Sequence, residues 1–92
     1  MPNPRVVTLV ADTDTTVTLD ANYGAVEVTL IANAAVTVFN ATGLAIPSAT
    51  PADGVHTLSA TLPAKVVPDL TTGNTVVHLR SAGSPTVQVC GL

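Results

Sequence analysis

The sequence predicts an all-β protein, a single-domain β-sandwich or jelly-roll-like barrel of about seven or eight short antiparallel strands. Three observations carry that prediction. Val and Thr together fill about a third of the 92 positions, and both fit a pleated, half-buried surface. Apolar and polar residues alternate over short stretches bounded by Gly, Pro, Asn and Asp. No window shows a sustained 3.6-residue period with caps, so helices are not expected.

The elements follow in order. Val6–Val10 and Thr15–Leu19 alternate as strands around the acidic turn Asp12-Thr13-Asp14. After the turn chemistry of Asn22 and Gly24, Val26–Leu30 alternates cleanly and places Glu27 outward. Asn33 marks a turn before Val36–Phe39, and residues 40–43 close that strand. The first half thus reads as four strands at meander spacing. Leu44–Asp53, with Pro47 and Pro51, is the longest candidate loop and is stiffened by its prolines. Asp53-Gly54 opens a strand through Leu58. Pro63 and Pro68 bracket Lys65–Val67, which allows only an edge strand or an extended loop. Thr71–Asn74 is a turn, Thr75–Arg80 a strong strand, and Ala82–Pro85 leads into a last strand over Thr86–Cys90. An echo of Val17–Asn22 in Val28–Asn33 fits two similar hairpin elements better than a solenoid repeat.

Residues 1–92 make one domain, with an N-terminal arm over 1–5 and a Pro-rich loop over 44–53. A core without Trp must be built from Val, Leu, Ala and Ile. The single Cys90 cannot form a disulfide within the chain, and a reduced thiol fits synthesis in the cytosol. A mean hydropathy of +0.51 with 10% charged residues points to association as the remaining source of stability, so a homo-oligomer or a subunit of a larger assembly is expected.

Several functions are argued against by the residues. Arg5, Lys65 and Arg80 are too scattered for a phosphate-binding stripe, and the net charge is -3, so no nucleic-acid partner is expected. Polar residues and Pro47 interrupt the uncharged stretch between Glu27 and Asp53, so no membrane partner is expected either. No basic region followed by an apolar run marks a secretory leader. Asp12 and Asp14 resemble the start of a calcium loop, but the Gly and the distal acid are missing. His56 and His78 lie in separate strands, both read as outward-facing, with no third ligand placed beside them. Cys90 has no base in its neighbourhood, and no Gly-x-Ser-x-Gly elbow or phosphate loop occurs. The chain reads as a non-enzyme with no metal and no cofactor.

The arrangement Leu19–Val28, a strand ending at Phe39, Asp53-Gly54, and Val76–Pro85 with a closing Val87-Gln88-Val89 resembles small all-β virion proteins of actinobacterial tailed bacteriophages, of the capsid decoration or cement type. The resemblance covers most of the chain. It implies a β-sandwich that attaches in many copies to the capsid exterior of the virion, binds the major capsid protein, and forms a homo-oligomer, with a trimer favoured by three-fold lattice positions. On this reading the chain is made in the host cytoplasm. Pro2, Pro4 and Val6 of the arm, with Leu44, Ile46, Pro47 and Pro51 of the loop, are the expected partner contacts, because both segments join a stiff backbone to apolar side chains. The alternative is a tail or fibre-associated virion module with a receptor- or carbohydrate-binding role. Against it, Tyr23 and Phe39 are the only aromatic platforms.

Overall fold

The computed structural model describes residues 3–48, 50 and 52–92. Among these residues eight strands form: β1 (Arg5–Thr8), β2 (Thr15–Thr18), β3 (Ala25–Ala32), β4 (Thr37–Asn40), β5 (His56–Leu58), β6 (Ala64–Pro68), β7 (Val76–Ser81) and β8 (Thr86–Gly91). They make two four-stranded sheets, in the orders β1-β8-β3-β6 and β2-β7-β4-β5. Every pairing is antiparallel. The β-sandwich expected from the alternation is therefore present, and its strand order is that of a jelly roll.

Consecutive strands change sheet at every connection except β4–β5. This corrects the meander reading of the first half. Alternation identifies a strand and its buried face, but it carries no information on which neighbour completes the ladder. The echo between residues 17–22 and 28–33 is likewise split between the two sheets and does not stack as a repeat.

The core lies between the sheets. Val26, Val28 and Leu30 of β3 with Val87 and Val89 of β8 face Val17, Val77, Leu79 and Phe39 of the other sheet, all buried. Leu9, Leu19 and Leu58 complete it from the strand ends. Each side chain of this size contributes about 1.5–3 kcal/mol on full burial. Phe39 is the largest fully buried side chain and packs near the His56 ring, centroids 5.3 Å apart.

That contact corrects the reading of His56. Its Cα partner is Phe39, and Leu58 two residues on points inward, so His56 also points inward at the open edge of the sandwich. Burial, then the Lys65 ammonium of the facing sheet, hold its imidazole below the usual range. His78 faces outward as expected, because Val77 and Leu79 on either side are buried.

Both ends are tied by polar contacts. At one end the β6–β7 turn is organised by Asp69, whose carboxylate accepts from Thr71 N at 2.9 Å and from Thr75 Oγ1 at 2.5 Å. The buried Thr75 hydroxyl in turn accepts from Tyr23 N at 2.9 Å. Gly73 takes φ +82° in this turn, a conformation that favours glycine. At the other end Leu9 N bonds the Pro85 carbonyl, Asp12 N bonds that of Ser81, and Ser81 Oγ donates to Val36 O.

The chain from Asn3 to Arg5 is built into the fold. Asn3 Oδ1 accepts from Gly91 N at 2.9 Å and its Nδ2 donates to Gly91 O at 3.3 Å, so the side chain extends the β1–β8 ladder by imitating a backbone amide. Arg5 begins β1 and reaches the Thr18 carbonyl of the facing sheet. Within the N-terminal arm, residues 3–5 are thus docked as the start of β1.

Candidate interaction surfaces

The two outward faces of the sandwich differ in kind. On the β1-β8-β3-β6 sheet, the register lines up Val6, Gln88, Thr29 and Ala64 in one row and Cys90, Glu27 and Val66 in the next. Thr8 and Thr86 form a third row and share a hydroxyl hydrogen bond of 3.2 Å. Glu27 is the one charged side chain among these paired outward positions. Val6, Ile31 and Val66 are 57%, 53% and 54% exposed, and Leu92, whose amide bonds Ala25 at the end of the same sheet, is 58% exposed.

Ile31 continues the outward parity of Glu27 and Thr29, and a β-bulge turns Ala32 to the same face. The register shifts between Leu30 and Ala32, so Ile31 and Ala32 both fall outward while Leu30 stays in the core. The result is a broad sheet surface of hydroxyl, amide and aliphatic groups.

The outward face of the β2-β7-β4-β5 sheet is partly covered by the chain itself, while Thr16 and Thr57 stay exposed at its edges. Residues 44–48 of the β4–β5 connection lie back across it. Asn40 Nδ2 donates to the Leu44 carbonyl at 3.0 Å, Asp14 Oδ2 accepts from Ile46 N at 3.3 Å, and Arg80 Nη2 donates to the Pro47 carbonyl at 2.8 Å. Ile46 is only 6% exposed beneath this cover. The other oxygen of Asp14 meets His78 Nδ1 at 3.2 Å.

The sequence-derived contacts sort accordingly. Val6 lies on the open sheet, while Leu44, Ile46 and Pro47 lie on the opposite side of the sandwich, so the fold does not bring the arm and the loop together. Leu44 is 71% exposed, and Pro4 and Pro47 are exposed. Ile46 corrects the expectation that its side chain is free for a partner, since the protein's own fold takes it up. Pro2 and Pro51 lie outside the described residues. Ile31, Val66 and Leu92 were missed; the outward parity of Val66 next to an inward Val67, and of Ile31 two residues after Thr29, was the available signal.

Among the described residues, no three His, Cys, Asp or Glu side chains could hold one metal ion. Cys90 is half-buried on the open sheet opposite Glu27. A shallow groove of about 320 Å³ beside the covering loop is lined in part by Asp12, Val38 and Arg80, and Arg80 is already engaged with the loop carbonyls. Compared with family models, curated proteins and solved structures, the chain gives no significant match.

Proposed function

We propose that this protein is a structural module of a bacteriophage particle, a capsid decoration protein that attaches in many copies through the open β1-β8-β3-β6 face. The observation that carries the proposal is the asymmetry of the sandwich: the middle of one sheet is covered by its own loop, and the other presents a nearly uncharged surface with exposed Val6, Ile31 and Val66. A cement protein needs such a surface and no pocket. It buries aliphatic and hydroxyl groups against a lattice, and repetition of the lattice multiplies weak single contacts. The sequence resemblance to phage virion proteins supports the same reading, and the jelly-roll order is compatible with it without deciding it, because one fold hosts many functions.

Rebinding to particles from the source tests the assignment of the face. Val66→Lys and Ile31→Lys each place a charge on the open sheet and should weaken attachment at least about tenfold. Leu44→Lys, on the opposite side, should leave it near the wild-type value. Loss of attachment in Leu44→Lys with full attachment in the other two would overturn the assignment.

A further inference from the structure

The β4–β5 connection is far longer than its geometry requires. Phe39 and His56 are direct partners in adjacent antiparallel strands, a junction that about 2–5 residues can close, yet residues 41–55 intervene. Part of the excess is the segment 44–48 that covers the β2-β7-β4-β5 sheet. Among the described residues, this segment makes no backbone–backbone hydrogen bond to the sheet. Three side chains from outside the connection reach its backbone, Asn40 on Leu44 O, Arg80 on Ile46 O and Pro47 O, and Asp14 on Ile46 N, while Thr42 Oγ1 accepts from Leu44 N within the connection.

We propose that residues 44–48 form a detachable strap, latched by Asp14, that lifts from the sheet without disturbing any strand of the sandwich. Asp14 is suited to the latch because it holds two elements at once, the Ile46 amide through Oδ2 and the His78 imidazole through Oδ1. The His78 ring, 3.2 Å from Oδ1, positions the carboxylate that fixes the strap. Thr16 Oγ1, 3.4 Å from the same nitrogen, braces the pair from β2.

Two opposing effects set the balance. Burial of Ile46 holds the strap down. Beneath it, Asn40 Oδ1 is buried with no hydrogen-bond partner among the described residues, and opening hydrates that acceptor. The core side chains between the sheets are untouched by the movement, since Ile46 is not one of them. When the strap lifts, Ile46 joins Leu44 as an outward apolar side chain, and the second sheet becomes accessible. This holds whatever the open sheet binds.

Amide hydrogen exchange on the full chain tests the latch. In the wild-type protein the Ile46 amide should exchange faster than the amides of β3, which is paired on both sides. Asp14→Ala should speed exchange at Ile46 about tenfold further while leaving the β3 amides unchanged. His78→Gln should act in the same direction and less strongly. Equal protection of Ile46 and β3 in the wild type, a uniform rise across both in Asp14→Ala, or no change at Ile46 in that variant would each overturn the proposal.

Discussion

Gly91 shows how one residue can be decided by a contact that the chain order hides. Its position in β8 points inward, and a Cβ built there would overlap the Tyr23 ring. The ring is held in place by its hydroxyl, which donates to the Asp20 carboxylate, and by the Tyr23 amide, which bonds Thr75. That hydrogen bond to Asp20, with a smaller effect of burial, raises the phenol above its ordinary pKa and keeps it protonated. Gly91→Ala should therefore destabilise the protein by about 1–3 kcal/mol in chemical denaturation. The same substitution in a Tyr23→Ala background should cost less than half as much, because the obstructing ring is gone. Equal costs in the two backgrounds would mean that the ring is not the obstacle.

Among the elements, β5 and β6 stand at one edge of the sandwich and manage it differently. β6 is guarded by Pro63 and Pro68 and carries Lys65, features that discourage pairing with another chain. β5 is short and turns His56 inward against Phe39. The lowered imidazole pKa of His56 means that the unfolded chain takes up its proton more readily than the folded one. Its contribution to stability is complete above the ordinary histidine value of about 6.5 and is lost as pH falls toward the lower folded value. Stability measured across about pH 7 to 5 should fall more steeply for wild type than for His56→Gln; parallel curves would remove His56 from the account.

The strands themselves were legible in the chain because period-2 alternation reports a half-buried strand directly. All eight lie where the pattern placed them, to within a residue or two, including the proline-bracketed β6. The partnership of strands was not legible, since β1 pairs β8 across nearly the whole chain and no local signal records it. The same gap explains the candidate surface. Val6 could be read as outward, but that it shares a face with Val66 and Ile31, and not with Leu44, follows only from the register. The Pro-rich loop's stiff backbone and apolar side chains make Ile46 an expected partner contact, whereas its return across the sheet depends on Asp14 and Arg80, which are distant in sequence.

For the whole molecule, the two sheets have become two different surfaces. One is covered at its middle by residues 44–48, tied there with charged side chains, and the other is left broad, aliphatic and almost without charge. A chain with a single cysteine has no disulfide within itself to add to a small aliphatic core, and the proposed association through the open sheet would add to it. The central claim is lattice attachment, and the copy number of this chain relative to the most abundant coat protein in purified source particles tests it most directly. One copy per coat subunit, or a simple fraction such as one per three, is the predicted result. A handful of copies per particle would place the chain in a tail or portal instead, and its absence from particles would contradict the virion reading altogether.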